Sequence, residues 1–562
     1  MALSYWEALD QLTAPGAPFA TSELEIDGVT YKVFDRAAGT LRDLFATARA
    51  KPDDVYLVYE DERWTFGEVM GQVDGIAATL VERYGVGKGD RVAIGMRNYP
   101  EWITSFAAIT SIGAIAVSLN AWWTEEELDY ALGDATPTVL IADQERVERG
   151  LRSCQERGIA ILGVRTTGAI DGVDRLEDVL VPGAPMPDVE VTPDDDATIL
   201  YTSGTTGHPK GAVSTHRAIL NALSGFSCRS VAQTIRGGDT GGAPADPADA
   251  LPPVFILTVP LFHVTGCVPV MLSTFANGLK LVIMYRWSAE RALELIEREQ
   301  VTNFVGVPTM SWDLLESPDF GKRDTSSLRS VGGGGAPAPP ELVRRIDAGF
   351  AKARPGIGYG MTETNAYGPQ NSGDDYVSHP TSTGRATPIL EVKIVDEQGG
   401  ELPVGERGEI CFKGPNLIRG YWNNPEATAE TIVDGWLRTG DIGRLDEEGF
   451  VYIEDRAKDM VLRAGENIYC AEVEAVLYEH PAVYEAAVYG IPNERLGEEV
   501  AATIYVRPGH DVTVEQLQDH VRQHIAGFKV PTRVELVDAQ LPRSASGKIL
   551  KRSLRDEMVA RS

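Results

Sequence analysis

The chain has 562 residues, of which 43% are hydrophobic and 24% charged, and its formal net charge is −30. This length exceeds one compact core and predicts at least two domains of a globular protein. Such a negative charge disfavours binding to nucleic acid or to anionic membranes. The five cysteines are scattered without a CxxC pair, which disfavours a zinc cluster and predicts reduced thiols in a cytoplasmic protein.

The N-terminal segment has acidic residues early and no apolar leader, so we predict no signal peptide. The uncharged stretch 102–123 is long enough to cross a bilayer. However, Asn98 and Pro100 resemble a helix start and Gly113 a helix stop, which favours a buried helix followed by a buried strand. We therefore predict no integral membrane span.

Short β-branched runs alternate with helical patterns along the first part of the chain. Strands are predicted at 91–96, 138–142, 159–164, 198–201, 279–284 and 303–307, and Ser288 opens a helix that runs through Gln300. This alternation predicts the α/β class, with layered and mostly parallel sheets. After about residue 385 the pattern becomes rich in turns and strands, which predicts a smaller β subdomain.

A compact α+β unit is predicted from about residue 457. Thr513 and Gln516 form a capping box. Val514, Leu517, Val521 and Ile525 share a helical stripe that ends at Gly527. We therefore predict a large N-terminal domain over 1–456 and a small mobile C-terminal domain over 457–562. The low-complexity segment 236–253 predicts a flexible surface loop, with an inert insertion favoured over a lid.

The strongest chemical signal is YTSGTTGHPKGA, from Tyr201 to Ala212, which follows a predicted strand. Glycines expose backbone N–H groups, and four hydroxyl side chains with one lysine complete a phosphate-binding loop. The spacing of its glycines and lysine differs from that of a Walker A loop.

A second motif, GYGMTET at 358–364, combines an aromatic ring, a hydroxyl group and a carboxylate. The tyrosine can lie flat against a purine, Thr362 can donate to a phosphate, and Glu363 offers the hard oxygen that Mg²⁺ prefers. The glycine run VGGGGAP at 331–337 would let a flat ring or an acyl chain approach the backbone. A plain glycine-rich turn is the alternative there.

Three charged motifs follow, GWLRTGD at 435–441, DRAKD at 455–459 and PRSASGK at 542–548. Asp441 could accept hydrogen bonds from both hydroxyls of a ribose. From Leu541 to Ser562 there are six basic residues against two acidic ones, which reverses the charge of the chain. A solvated basic tail is one interpretation, but Gly547 directly before Lys548 favours an extended loop that presents one lysine.

The phosphate loop, GYGMTET, GWLRTGD, DRAKD and PRSASGK form an ordered set of five motifs. In this order and spacing they resemble the acyl-CoA synthetase and adenylate-forming superfamily, which includes coumarate–CoA ligases, luciferases and nonribosomal adenylation domains. The resemblance covers about 35–555, and the ordered set is specific. It implies an ATP-dependent carboxylic acid–CoA ligase that forms acyl-AMP plus pyrophosphate and then acyl-CoA plus AMP. ATP and coenzyme A would be co-substrates, and Mg²⁺ the metal.

The resemblance also implies roles for individual residues. Those around the β- and γ-phosphates would be Thr202, Ser203, Gly204, Thr205, Thr206, Gly207 and Lys210. Those at the adenine would be Gly335, Ala336, Pro337, Tyr359, Gly360 and Met361. Asp441 and Arg456 would bind the ribose, Thr362 would touch the α-phosphate, and Glu363 would hold Mg²⁺. Lys548 would bridge the substrate carboxylate and the α-phosphate.

For the acyl pocket, the resemblance implies His263, although His263 could also be a satisfied core histidine. The residue types themselves suggest Val305, Gly333 and Gly334 as further members of this pocket. Lys458 would be the hinge of the small domain. The CoA side would contain Arg463, Gly465 and Glu466. Ala464 departs from a common family glycine and adds a methyl group where pantetheine would pass. Cys470 replaces a common proline, and we predict a buried and passive thiol.

The substrate is the least defined part of the prediction. An amino-acid substrate is disfavoured, because the segment 261–265 has no aspartate to pair its ammonium group. The glycines at 332–335, with Val305, Val307 and Met310, suggest a roomy apolar tunnel and favour a medium- or long-chain fatty acid. The alternatives are an aryl-acid–CoA ligase, an adenylation enzyme that loads a carrier protein, a luciferase-like oxygenase and a nucleotide-binding regulator. We expect small-molecule partners, with a homodimer as an open alternative.

Overall fold

The computed structural model describes residues 3–202, 208–236, 251–336, 338–456, 459–463, 466–493 and 495–561. The described strands form a two-stranded, an eight-stranded, a fourteen-stranded and a five-stranded sheet. The low-complexity segment falls mostly on 237–250 and lies outside the described residues.

The strands up to residue 456 are, in chain order, β1 Thr21–Ile26, β2 Val29–Phe34, β3 Val55–Tyr59, β4 Glu62–Thr65, β5 Arg91–Gly95, β6 Ile115–Ser118, β7 Val139–Asp143, β8 Ala160–Val164, β9 Val173–Arg175, β10 Asp196–Thr202, β11 Lys210–Thr215, β12 Val254–Leu257, β13 Lys280–Ile283, β14 Asn303–Gly306, β15 Ser330–Gly334, β16 Arg354–Gly358, β17 Gln370–Ser372, β18 Gly384–Arg385, β19 Glu391–Val395, β20 Gly408–Lys413, β21 Gly420–Tyr421, β22 Ile432–Val433, β23 Trp436–Leu445 and β24 Phe450–Arg456. The later strands are β25 Val461–Arg463, β26 Glu466–Ile468, β27 Val483–Asn493, β28 Gly497–Val506 and β29 Arg533–Val537.

The α-helices are α1 Tyr5–Thr13, α2 Leu41–Thr47, α3 Phe66–Glu82, α4 Pro100–Ser111, α5 Glu125–Ala135, α6 Gln144–Arg157, α7 Leu176–Val179, α8 His216–Ile235, α9 Ser273–Asn277, α10 Ala289–Glu299, α11 Pro308–Glu316, α12 Pro340–Gly349, α13 Gly373–Ser378, α14 Pro425–Thr431, α15 Cys470–Tyr478, α16 Val514–His524 and α17 Lys551–Ala560.

The eight-stranded sheet has the order β21-β11-β10-β6-β5-β7-β8-β9 and is parallel except at the pairs β10–β11 and β11–β21. The stretch 102–123 is confirmed as a buried helix followed by a buried strand, α4 and β6. Pro100 occupies the first turn of α4, and Gly113 has φ +71° where the chain turns back.

The fourteen-stranded sheet joins the two parts that the sequence pattern separated. Strands β16, β15, β14, β12, β13 and β3 are parallel neighbours, and the sheet then continues through antiparallel β17 and β18 to β24. The predicted β subdomain is therefore continuous in hydrogen bonding with the α/β sheet. This continuity places the end of β16 close to β23 and β24, which carry Asp441 and Arg456.

Two helices show how local sequence sets the element ends. Ser288 caps α10 by accepting a hydrogen bond from the N–H of Arg291. The predicted capping box of Thr513 and Gln516 begins α16, whose inner face buries Leu517 and Val521. This helix ends at His524, earlier than predicted, because the backbone becomes extended at the next residue.

The small domain has its own sheet and its own core. Its sheet has the order β26-β25-β28-β27, with β29 beside β28. Buried apolar side chains from this sheet and from α15 and α16 form a separate cluster that includes Val473, Val488, Ile504 and Leu517. The prediction of a large α/β domain followed by a small α+β domain is confirmed.

All five cysteines are buried and free. Among the described residues, no helix combines the length and the apolar character that a membrane span would need.

Candidate active site

Strand pairing holds together the two described ends of the predicted phosphate loop. Thr202 lies opposite Lys210 in the antiparallel pair β10–β11, and its hydroxyl donates to the Lys210 carbonyl oxygen at 3.3 Å. Outside the described residues lie Ser203, Gly204, Thr205, Thr206 and Gly207.

Lys210 and Glu363 are brought together by Tyr421, which the sequence analysis missed. The Nζ atom of Lys210 lies 5.1 Å from the centroid of the Tyr421 ring. The Tyr421 hydroxyl donates to Oε1 of Glu363 at 2.7 Å. Burial, reinforced by the Glu363 charge, raises the pKa of Tyr421, so this hydroxyl stays protonated. Tyr421 lies in a strand of two residues, and no sequence motif around it indicates a role in the site.

The Glu363 side chain fits a magnesium ion. It is 7% exposed, and one of its oxygens is held by Tyr421. Among the described residues, the second oxygen accepts no hydrogen bond. A buried carboxylate oxygen with a fixed neighbour is a suitable ligand for a hard divalent cation.

A 3₁₀ turn over Thr362–Thr364 presents Thr362 and Glu363. Two buried asparagines stabilise this turn through hydrogen bonds to main-chain carbonyl groups. The Asn365 amide donates to the Asn416 carbonyl at 3.0 Å, and the Asn416 amide donates to the Thr364 carbonyl at 3.0 Å. Both asparagines are fully buried and were missed by the sequence analysis, because they act through main-chain contacts distant in sequence.

Gly360 and Met361 lead into this turn. A Cβ atom on Gly360 would lie 2.5 Å from the carbonyl oxygen of Ala366, so the close backbone approach requires glycine. The Met361 N–H donates to Oγ1 of Thr364 at 3.1 Å. The tight GYGMTET segment is therefore stabilised by its own backbone.

The predicted adenine and ribose residues Tyr359, Asp441 and Arg456 are joined by one hydrogen bond and one ion pair. The Tyr359 hydroxyl donates to Oδ2 of Asp441 at 2.6 Å, and Nε of Arg456 lies 3.3 Å from Oδ1. The register of β23 and β24 places Asp441 opposite Arg456. Burial, with the Asp441 charge, raises the pKa of Tyr359 well above its ordinary value. A carboxylate fixed in this way can accept hydrogen bonds from a diol.

Lys548 lies in a loop that the small domain holds rigidly. The Lys548 N–H donates to Oγ of Ser544 at 3.2 Å, and the Ser544 N–H donates to the Lys548 carbonyl at 2.8 Å. Glu485 on β27, which is 3% exposed, accepts from the Leu541 N–H at 2.8 Å and pairs with Arg543. These contacts attach the loop to β27.

This loop reaches into the large domain. A Cβ atom on Gly335 would lie 3.5 Å from Cε of Lys548, and one on Gly547 would lie 2.8 Å from Cγ2 of Val307. Burial and, to a smaller extent, the positive charge of Lys548 lower the pKa of His263 to about 3. This imidazole is therefore neutral. Lys548 is therefore brought to the predicted adenine and acyl positions.

The acyl-pocket residues Val305, Gly333 and Gly334 lie on the adjacent parallel strands β14 and β15. A Cβ atom on Gly333 would lie 2.1 Å from the Gly306 carbonyl oxygen, and one on Gly334 would lie 2.6 Å from that of Gly358. These two glycines therefore allow neighbouring backbones to approach. A cavity of about 20 Å³, also lined by α11 and α12, borders Gly333.

The residues predicted for the CoA side lie on the sheet of the small domain. Arg463 on β25 pairs in register with Glu466 on β26. The Arg463 guanidinium donates to the Phe528 carbonyl at 3.3 Å, whereas Glu466 is exposed. Ala336 follows Gly335 and is half-buried. Outside the described residues lie Pro337, Lys458 and Gly465.

Cys470 begins α15, and its backbone connects the two domains. Its N–H donates to the Asp455 carboxylate at the end of β24. Burial raises the pKa of Asp455 to about 6. Burial also raises the pKa of the Cys470 thiol well above its ordinary value, which makes it an unreactive thiol.

Comparison with known proteins identifies the family of the chain. The profile described as AMP-binding enzyme matches 44–422, and the profile described as AMP-binding enzyme C-terminal domain matches 472–548. Feruloyl-CoA synthase of Amycolatopsis sp is 35% identical over 511 residues, which cover 90% of this chain and 96% of that protein. Long-chain-fatty-acid–CoA ligase FadD13 of Mycobacterium tuberculosis is 34% identical over 502 residues, which cover 89% and 94%.

Among solved structures, amide bond synthetase McbA from Marinactinospora thermotolerans has a TM-score of 0.80 and 29% identity, and the match covers 92% of this chain and 99% of that one. The two profile matches lie in the two domains described above. From these findings we conclude that the chain belongs to the AMP-binding enzyme family and is an AMP-forming acid–CoA ligase of the adenylate-forming superfamily.

Proposed function

We propose that the chain activates a medium- or long-chain fatty acid with ATP and transfers the acyl group to coenzyme A. The observation that carries the proposal is the position of Lys548, which passes Gly335 and acts electrostatically on His263. The Lys548 side chain thereby lies near a residue proposed for the adenine site and near a residue proposed for the acyl pocket. Such a cation can serve a reaction that joins a carboxylate to a nucleotide phosphate.

In the first half-reaction a carboxylate oxygen bonds to the α-phosphorus of ATP, and the bond from that phosphorus to pyrophosphate breaks. Lys548 and Lys210 would offset the repulsion between these anions, and Thr362 would donate to the α-phosphate. No general base is needed, because the carboxylic acid is already ionised at neutral pH. Tyr359, Asp441 and the ion-paired Arg456 would orient the adenosine.

We propose that ATP binds together with magnesium. Glu363 would hold the ion, which supplies positive charge beside the phosphates. The hydrogen bond from Tyr421 fixes the orientation of the Glu363 carboxylate before any ligand binds. This preorganisation lowers the cost of ordering the site.

For the second half-reaction we propose a domain boundary between 456 and 457 and a hinge at Lys458. Rotation about this hinge would withdraw Lys548 and bring the segment 463–467, with Arg463, Gly465 and Glu466, to the large domain. The CoA sulfur would then bond to the acyl carbon while AMP leaves. One site would thereby serve two transition states in turn.

The acyl substrate separates two candidates. The apolar Val305, Val307 and Met310 support a fatty acid, whereas the absence of an aspartate in 261–265 disfavours only an amino acid. The identity to a protein named feruloyl-CoA synthase supports an aryl acid as the second candidate. The chain also shares its fold with a protein named amide bond synthetase. The acceptor of the acyl group is therefore tested separately from the acid.

A substrate panel tests the proposal. ATP–pyrophosphate exchange is measured with medium-chain, long-chain and hydroxycinnamic acids, and the products are then assayed with free CoA. We expect exchange with the fatty acids and thioester formation with free CoA. Exchange with aryl acids alone would favour the second candidate, and adenylate formation without transfer to free CoA would exclude CoA as the acceptor.

We also propose a cytoplasmic location, which the five free thiols support. Light scattering distinguishes a monomer from the homodimer that the sequence leaves open.

A further inference from the structure

One helix of the large domain, α11, faces the small domain with two acidic side chains. Asp313 and Glu316 are three residues apart and therefore share a helix face. The Asp313 carboxylate accepts a hydrogen bond from the Tyr484 hydroxyl at 3.4 Å and another from Nε1 of Trp287 at 2.8 Å. Tyr484 belongs to β27 of the small domain, so this contact crosses between the domains.

Glu316 makes the stronger contact across the same boundary. Its Oε1 atom lies 2.7 Å from a guanidinium nitrogen of Arg507 and 2.5 Å from one of Arg345. Arg507 belongs to the small domain, where its Nε also donates to the Pro481 carbonyl at 3.1 Å. Arg345 belongs to α12 of the large domain. Its guanidinium carbon lies over the Trp312 ring, 4.8 Å from the ring centroid. One carboxylate thereby binds one arginine from each domain.

The network is shielded more than an ordinary surface ion pair. The side chains of Glu316, Arg507 and Arg345 are 25%, 21% and 33% exposed. Partial burial raises the pKa of the Glu316 carboxyl, but hydrogen bonds from Arg345 and Arg507 outweigh it and leave the pKa below its ordinary value. The carboxylate therefore stays ionised at neutral pH.

The interface beside this network is open. A cavity of about 520 Å³ lies there, and its lining includes Trp312 and Arg345 from the large domain and His480 and Arg507 from the small one. The ion pair of Glu316 with Arg507 therefore crosses the interface at the edge of a space that side chains do not fill.

We infer that Glu316 and Arg507 form a latch that favours the adenylate-forming orientation of the small domain. The inference rests on the proposed function, because it uses the proposed hinge at Lys458. Glu316 precedes that hinge and Arg507 follows it, so rotation about the hinge would separate the pair. Neither residue is assigned to a substrate, and both act as positioning residues.

A contact made in only one orientation shifts the balance between orientations by its own strength. The loss of an ion pair of this kind shifts that balance by up to about fivefold. We therefore expect Glu316→Gln and Arg507→Gln each to lower, by about two- to fivefold, the ratio of two rates. The first is pyrophosphate release, and the second is thioester formation from preformed acyl-AMP.

Controls separate this effect from a general loss of structure. Glu341→Gln removes an ion pair with Arg344, at 3.0 Å, that lies wholly within α12, so the ratio should not change. Arg507→Lys keeps the positive charge and should restore much of the ratio. The double variant Glu316→Gln with Arg507→Gln should be no worse than the worse single variant, because both changes remove one contact. Melting temperatures verify that each variant is folded.

An unchanged ratio in folded Glu316→Gln and Arg507→Gln would overturn the latch, as would additive effects in the double variant or an equal effect of Glu341→Gln. The proposed function fails in a different way, namely when the wild-type chain releases no pyrophosphate with any acid or forms no thioester with CoA. The wild-type measurements therefore distinguish the two failures.

Discussion

At the scale of single residues, Glu363 offers a test of metal binding. Glu363→Gln keeps the shape of the side chain but replaces a carboxylate oxygen with a neutral amide oxygen, which is a weaker ligand for Mg²⁺. We expect the Mg²⁺ concentration for half-maximal pyrophosphate release to rise about tenfold or more. Tyr421→Phe keeps the carboxylate and removes only its hydrogen bond, so its effect should be smaller. An unchanged Mg²⁺ requirement in Glu363→Gln would remove this residue from the metal site.

His216 predicts how stability depends on pH. It is fully buried, and its Nδ1 accepts a hydrogen bond from the Leu41 N–H at 3.1 Å. Burial lowers its pKa to about 4, against an ordinary value of 6.5. The unfolded chain therefore binds this proton first, so the stabilisation is fully present above pH 6.5 and is lost as the pH falls towards 4. The loss would be about 3 kcal/mol in the free energy of unfolding.

Urea unfolding at pH 7 and near pH 4 measures this dependence. His216→Asn supplies an amide oxygen to the Leu41 N–H but has no proton to gain in this pH range. We expect its free energy of unfolding to fall less between the two pH values than that of the wild type. Equal falls in both proteins would show that His216 does not contribute.

At the scale of elements, the Lys548 loop depends on one glycine contact. Gly547 has φ +85°, and a Cβ atom there would lie 2.8 Å from Val307, whereas Gly509 has φ +81° with nothing within 4 Å. Gly547→Ala should slow pyrophosphate release by about tenfold to a hundredfold, because it displaces Lys548. Gly509→Ala carries the same backbone strain without the clash and should leave the rate almost unchanged. Equal rates in the two variants would contradict this account.

At the scale of the whole molecule, Lys548→Ala should separate the two half-reactions. The lysine is proposed to act on the pentacoordinate transition state, so pyrophosphate release should fall about 10²–10³-fold or more, by analogy with oxyanion donors. Preformed acyl-AMP should still become thioester at close to the wild-type rate, because the proposed rotation would have withdrawn the lysine. Equal slowing of both half-reactions would contradict alternation of the domain.

Lys458→Pro should have the opposite effect on the two half-reactions. Proline restricts φ at the proposed hinge, so adenylation should continue while thioester formation slows. Both rates are measured separately for Lys548→Ala and Lys458→Pro on the same acid.

The elements and the chemistry that depend on neighbouring residues could be predicted from the amino-acid sequence. Ser288 and Thr513 were predicted as caps because a cap bonds to backbone within a few residues. The motifs around Lys210, Glu363 and Lys548 were visible because phosphate and metal binding require particular side chains in a short run. Their common family was visible because the motifs occur in a fixed order.

Which of these residues lie close together depends on how the chain folds. Tyr421 joins Lys210 to Glu363 because β21 pairs with β11, and no local pattern encodes that pairing. The glycines of β15 suggested room for an acyl chain, but Gly333 and Gly334 lie against the backbones of neighbouring strands. The contact between Glu316 and Arg507 depends on how one domain docks on the other. Each of these contacts joins segments far apart in the chain, and their proximity depends on packing energy summed over whole sheets and domains.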